Sequence, residues 1–215
     1  MPDKNQSAPC PLCNSLSFVF YKDEKHLFYE CKECSGIFRS EDQRLSNTDE
    51  INRYLLHRNP EFDEGYYQFI LPIIKEVKAS CSAGAQGLDY GCGQHQVLMK
   101  NLRREGFKMH GYDPMFLSDK EVLKKQYDFI VSCEVIEHFY HPFQEFQYLK
   151  SILLPNGKLI CKTDIYDSKV DFESWYYKND PTHVFIYREA TFDWIRENME
   201  FTDVKINRRV ITFTN

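Results

Sequence analysis

Gln86-Gly-Leu-Asp89-Tyr-Gly91-Cys-Gly93-Gln-His95 is the stretch whose reading decides the fold. A short apolar run ends in an acid, two glycines follow with one residue between them, and the segment from Gln96 carries Val97, Leu98 and Leu102 at helical spacing. The pattern predicts strand, tight turn, helix. In an open parallel sheet such a turn binds nucleotide-like ligands, because glycines let the backbone come close and the helix N-terminus offers unpaired N–H groups. The dinucleotide fingerprint Gly-x-Gly-x-x-Gly/Ala requires a small residue at position 96, where Gln96 is too large for close helix-to-strand packing. Alone, a two-glycine turn also fits an ordinary left-handed turn before a helix.

The acid two residues before Gly91, followed by Gly-x-Gly, resembles motif I of the class I S-adenosylmethionine-dependent methyltransferases, with His95 standing where that family has its third glycine. The resemblance implies that Asp89, Gly91, Gly93 and His95 border the cofactor, His95 at its methionine end. Further on, Lys108 to Tyr112 reads as a second strand ending at Asp113-Pro114. A carboxylate at that separation suits a ribose, since it accepts two hydrogen bonds from a vicinal diol. The alternative is that Asp113-Pro114 only opens a turn. Between Met115 and Gln126 the third strand of the usual fold is shortened or lost.

Tyr127 to Cys133 is a near-continuous apolar run, expected for a central parallel strand buried on both faces. It leads into Glu134-Val-Ile-Glu137-His138, which resembles motif IV of the ubiquinone-biosynthesis type of small-molecule methyltransferase. That likeness implies Cys133 and Glu134 against the cofactor and His138 near the reaction centre or fixing the next helix. An exposed acidic helix start would account for Glu134 and Glu137 but not for the histidines beside them. Phe143, Phe146, Leu149 and Ile152 predict a helix on the sheet, with Pro142 in its first turn. Leu153 to Lys162 reads as a turn and the fifth strand, residues 188–198 as a helix, and Phe201 to Phe213 as a hairpin turning at Asn207-Arg208.

The loop from Ser174 to Val184 is dense in aromatic and hydrogen-bonding side chains and follows a central strand, where ligand sites lie. His183 is the candidate general base, with Asp180 orienting it or binding the acceptor, and His138 is the second candidate. Before the glycine turn, Gly65 to Ser80 reads as a helix covering the cofactor, with Tyr66 a candidate contact or simply a core aromatic. A helical patch begins at Tyr54 and is broken at Pro60 to Gly65.

Cys10-Pro-Leu-Cys13 and Cys31-Lys-Glu-Cys34 have the spacing of a four-thiolate zinc site. Four thiolates close the shell, so the metal is expected to be structural, and a module of roughly 40 residues needs it to fold. Phe18, Phe20 and Phe28-Tyr29 mark ribbon strands. Lys22, Lys25, Lys32 and Arg39 lie among these aromatics, but Asp23, Glu24, Glu30 and Glu33 interrupt them, so the ribbon presents no clean basic stripe for nucleic acid.

The chain has 215 residues and a formal net charge of −5, giving no global pull toward nucleic acid or anionic membrane. It lacks an apolar leader and any stretch long enough to span a bilayer, and its paired cysteines suit a reducing compartment; cytoplasmic location is the expectation. As a whole the chain resembles a bacterial family in which a four-cysteine zinc ribbon precedes a compact class I methyltransferase domain. The matching pieces are both cysteine pairs, Tyr54 with His57, Gly65-Tyr66, the Gly87 to Gly93 turn, Tyr112 to Pro114, Tyr127 to His138, and Asp180 to His183. The expected fold is α/β: a Rossmann-like doubly wound sheet with an antiparallel terminal hairpin (46–215) after a small zinc ribbon (1–45). The expected activity is methyl transfer from S-adenosylmethionine to a small molecule at oxygen, nitrogen or carbon. Alternatives are an RNA base methyltransferase gripping RNA with its ribbon, and a non-catalytic cofactor-binding or zinc-organised interaction protein.

Overall fold

Phe129, Ile130 and Val131 have no exposed surface, so the strand that carries them is covered on both faces and lies at the centre of its sheet. The computed structural model describes residues 6–55 and 64–215. His57 and residues 60–63 of the break predicted at 60–65 lie outside the described residues, while Glu64 and Gly65 already belong to a helix. In chain order the elements are β1 (Ser7–Pro9), β2 (Leu16–Lys22), β3 (Leu27–Cys31), β4 (Ile37–Arg39), α1 (Asn47–Leu55), α2 (Glu64–Ser80), β5 (Gln86–Tyr90) and α3 (Val97–Arg104). There follow β6 (Lys108–Tyr112), β7 (Tyr127–Cys133), α4 (Pro142–Ser151), β8 (Leu153–Lys162), β9 (Phe185–Ile186), α5 (Glu189–Asn198), β10 (Asp203–Asn207) and β11 (Val210–Thr214).

The larger sheet runs β10-β11-β8-β7-β5-β6. Strands β6, β5, β7 and β8 are parallel, and the β10–β11 hairpin adds antiparallel to β8. From β5 the chain first winds to β6 on one side and then returns to β7 on the other, so the switch point falls between β5 and β7. Crevices form at such a point because the two crossovers leave in opposite directions. After β6 the chain makes only an Asp113–Leu117 bridge and a 3-10 turn at Val122–Lys124, as the sequence predicted for the third strand. The terminal hairpin is also present, with its turn at Arg208-Arg209, one residue later than expected, because Asn207 pairs with Val210.

Helix α1 starts at Asn47, well before Tyr54, where the helical patch was expected to begin. Ser46 explains it: its hydroxyl accepts the Asp49 N–H at 3.2 Å and donates to the Asp49 carboxylate at 2.7 Å. A hydroxyl cap of this kind starts a helix that has little apolar signal of its own.

The smaller sheet has the order β1-β2-β3-β4-β9, all antiparallel. Its last strand comes from beyond β8, so pairing crosses the sequence boundary placed at residue 45. Phe20, Tyr21 and Phe28 pack edge-on or tilted against Phe172, and Phe20 also meets Tyr166. Trp175 and Tyr177 close the same cluster. Trp175 and Tyr177 of the loop expected to carry function thus pack in this cluster, while His183 of the same loop does not belong to it. Burying a large apolar side chain contributes roughly 1.5–3 kcal/mol, so this seam is a substantial part of the core.

Candidate functional site

At the ribbon end, Cys10 and Cys13 sit in the turn between β1 and β2, while Cys31 closes β3 and Cys34 follows it. Cys10 Sγ lies 3.5 Å from Cys34 Sγ and Cys13 Sγ 3.3 Å from Cys31 Sγ, and all four sulfurs fall within 4.8 Å of one another. A disulfide needs about 2.05 Å, whereas four thiolates at ~2.3 Å from one ion stand roughly 3.8 Å apart. The four donors thus have the arrangement of a single closed metal site.

A cleft of about 800 Å³ opens at the C-terminal ends of β5, β6 and β7. Tyr66, Gly91, Gly93, His95, Asp113, Cys133, Glu134, His138 and His183 all line it. Asp89 and Asp180 do not.

Asp89 faces inward instead, only 2% exposed, and its Oδ2 accepts the Met99 N–H at 3.1 Å. Met99 is the third residue of α3, whose N-cap Gln96 provides no side-chain cap, so the strand acid caps the helix. Burial pushes its carboxyl up to about 7. Gly91 has φ +82°, and a Cβ there would stand 2.4 Å from Val135 Cγ2. Its N–H and that of Cys92 donate to the Tyr112 carbonyl at 2.8 and 3.1 Å, latching the turn to the end of β6.

Asp113 holds the other side of the turn. Its Oδ2 accepts the Gly93 N–H at 3.0 Å, and its Oδ1 accepts those of Met115 and Phe116 at 2.9 and 3.1 Å. A carboxylate has about four lone-pair positions, so one remains for a ligand hydroxyl, not the pair expected for a diol. Glu134, in the left-handed region at φ +53°, accepts from Lys162 Nζ at 2.8 Å and from Arg209 Nη2 at 3.0 and 2.8 Å. Burial pushes the Cys133 thiol up, which keeps it protonated.

Opposite the glycine turn, two imidazoles stand 5.0 Å apart between ring centres. His138 Nδ1 is 2.8 Å from the Thr182 carbonyl, and His183 Nδ1 is 2.8 Å from the Tyr177 carbonyl. A carbonyl only accepts, so each Nδ1 carries the proton and each Nε2 keeps its lone pair. Burial, and then the neighbouring His138, hold the His183 imidazole down to about 4. His183 is therefore neutral at physiological pH.

Asp180 does not orient this ring. Its Oδ1 accepts the N–H and hydroxyl of Thr182 at 3.0 and 2.6 Å, and its Oδ2 accepts from Arg53 at 2.7 Å. Burial opposes ionisation, but the Arg53 and Thr182 bonds outweigh it and hold the carboxyl well below the usual range. Glu137 is fully buried and not an exposed helix start: it accepts the Tyr177 and Thr163 hydroxyls at 2.7 and 3.0 Å.

The wall residues Tyr90, Tyr140 and Glu145 went unnoticed in the sequence. Tyr90 donates to Glu145 at 2.7 Å, and Tyr54 and Tyr140 both donate to Glu50, at 3.0 and 3.1 Å. For Tyr90 the signal was available, since it lies between Asp89 and Gly91 at the strand end. No local pattern links Glu50 with Tyr140.

A family model described as a methyltransferase domain matches residues 60–206. No curated protein sequence matches the chain significantly. Among solved structures, magnesium protoporphyrin IX methyltransferase from Synechocystis PCC 6803 with bound SAH is similar at TM-score 0.55 and 16% identity, over 79% of this chain and 95% of that one. Phosphoethanolamine N-methyltransferase 2 from Haemonchus contortus, in complex with S-adenosyl-L-methionine, is similar at TM-score 0.55 and 16% identity, over 80% of this chain and 48% of that one. At these identities the likeness is one of fold, and it carries the order and direction of the strands around the cleft. Among the described residues no helix is long and apolar enough to cross a membrane. Because the matched span takes in the glycine turn, the strands beside it and the cleft they form, the chain belongs to the methyltransferase domain family.

Proposed function

We propose that this protein transfers a methyl group from S-adenosylmethionine to a small-molecule acceptor, with a structural zinc ion held by Cys10, Cys13, Cys31 and Cys34. The observation that carries this reading is the cleft at the strand-order switch point, where Gly91 and Gly93 turn the backbone toward the cavity and Asp113 pins that turn. The residues fit the cofactor. A Cβ at Gly93 would meet nothing within 4 Å, so the turn leaves open space, and Asp113 keeps one acceptor position for a ribose hydroxyl. Tyr66, Gly91, Gly93, His95, Asp113, Cys133 and Glu134 would hold it, while Asp89 acts from behind by starting α3.

When bound, S-adenosylmethionine supplies an electrophilic methyl group on a sulfonium sulfur. The protein must place the acceptor in line and take any proton it loses. His183 is our candidate base, since its Nδ1–H is tied to a carbonyl and Nε2 is free to accept; His138 stands beside it in the same tautomer. Asp180 supports the loop that carries His183. Of the ribbon rings Phe28 is buried and Phe20 and Tyr21 are half-buried against Phe172, and the exposed Phe18 has no clean basic stripe around it, which favours a small acceptor.

Calorimetry with S-adenosylhomocysteine tests the reading. Wild-type protein should bind it, and Asp113→Ala should weaken binding at least tenfold by freeing the glycine turn. Absence of heat with the wild type would overturn the cofactor assignment, and a panel of hydroxyl, amine and carbon-acid acceptors then identifies the substrate.

A further inference from the structure

The role of the ribbon is written in one side chain. Arg39, the last residue of β4, was expected on the ribbon surface yet is only 3% exposed. Its Nη2 donates to the carbonyls of Lys178 and Asp180 at 2.7 and 3.0 Å, and its Nε to the carbonyl of His183 at 3.3 Å. Its guanidinium lies over the Phe28 ring, 4.7 Å from the centre. None of these three hydrogen bonds reaches a carboxylate. Burying a cation on neutral carbonyls is costly, and a guanidinium reduces that cost only where its planar fork matches several fixed acceptors.

Those acceptors all belong to one loop, and the ribbon grips the same loop again just beyond it. The Arg39 backbone N–H donates to the Val184 carbonyl at 2.9 Å, and Ile37 and Phe38 pair with Ile186 and Phe185. At Gly36, between Cys34 and β4, a Cβ would stand 2.3 Å from Phe185 Cζ, so the cysteine knuckle itself closes on β9. Within the clamped segment the Tyr177 carbonyl, next to Lys178, accepts the Nδ1 proton of His183, and the Tyr177 ring stands 4.0 Å from the imidazole centre.

We propose that Arg39 is a positioning residue for His183. By holding the carbonyls of residues 178, 180 and 183 together it sets the path of the loop, and the path keeps the Tyr177 carbonyl opposite His183 Nδ1, leaving Nε2 unprotonated for the acceptor. The cysteine ribbon then buttresses the acceptor site from behind this loop, its described residues lying outside the lining of the cleft. This proposal rests on the reading of His183 as the base.

The test uses full-length, metal-loaded protein labelled with 15N-histidine. Long-range 1H–15N spectra identify the His183 tautomer, its signals assigned by their loss in His183→Gln. Wild type should show the Nδ1–H form. Arg39→Met and Arg39→Lys should both lose it in favour of the Nε2–H form that free imidazole prefers, while S-adenosylhomocysteine binds within about twofold of wild type, because the cofactor half of the cleft is untouched. If Arg39→Met lacks the near-ultraviolet dichroism of a folded protein, Arg39→Lys decides, since it retains the charge but cannot span three carbonyls. A folded Arg39→Lys with an unchanged His183 spectrum overturns the proposal. Failure of the wild type to bind S-adenosylhomocysteine would instead sink the methyltransferase reading, and the His183 spectra would still report on Arg39.

Discussion

Asp89 and Asp113 are the same residue type at the ends of neighbouring parallel strands, and the atoms they touch give them different work. Asp113 gathers three backbone N–H groups around the cleft, whereas Asp89 gives one oxygen to Met99 inside the core. Burial raises the Asp89 carboxyl from 3.8 to about 7. Between these values the folded protein keeps a proton that the unfolded chain has lost, so this group makes stability fall as pH rises from about 4 to 7. Asp89→Asn keeps an acceptor for the Met99 N–H and should flatten that slope in urea denaturation; an unaltered slope would refute it. His183 works in the opposite sense. Its folded value lies near 4 against an ordinary 6.5, so its contribution is present above 6.5 and is lost as pH falls toward 4. At Gly91 a methyl group would strike Val135 in a backbone conformation that side chains rarely adopt. Gly91→Ala should destabilise the fold by about 1–3 kcal/mol and weaken S-adenosylhomocysteine binding at least tenfold, as denaturation and calorimetry would read.

Among elements, the loop between β8 and β9 has the double task of packing on the ribbon and presenting His183. Trp175 is 8% exposed within the cluster of Phe28, Ile37, Tyr166, Phe172 and Tyr177, and its neighbours on the ribbon are held by the cysteine knuckle. Stripping metal from the four thiols should therefore loosen β3 and β4 and wet the indole. In Trp194→Phe protein, which leaves Trp175 as the one indole of the chain, chelation should shift the emission to the red; unchanged emission would mean that the ribbon strands hold without metal. Helix α1 and the glycine turn show how far local pattern reaches. Ser46-Asn-Thr-Asp49 is a capping signature readable from four residues, whereas the cap on α3 comes from Asp89, across the turn from the helix it starts.

At the scale of the whole molecule the two sheets share one apolar core, in which Leu27, Tyr29 and Phe38 of the ribbon pack with Phe146, Phe185 and Tyr187. A fragment of residues 46–215 would bare this face and leave the carbonyls that Arg39 satisfies without a donor. It should lack cooperative unfolding and near-ultraviolet dichroism, and a stably folded fragment would show that the core divides at residue 45. The sequence by itself determined the doubly wound sheet, the missing third strand, the terminal hairpin, the paired cysteines and most of the cleft wall. Local spacing signals the separate elements, apolar runs for strands, glycines for a turn and two cysteines per knuckle, while the resemblance to the methyltransferase family supplies their doubly wound order, the missing third strand and most of the cleft wall. Only the tertiary structure decided that Asp89 caps a helix, that Asp180 binds Arg53 and not His183, and that Glu137 is buried. It alone made Arg39 the link between the ribbon and the loop that carries His183. These outcomes depend on which groups meet across long separations, and once the chain closes, a buried polar atom takes whatever partner packing brings within hydrogen-bond reach.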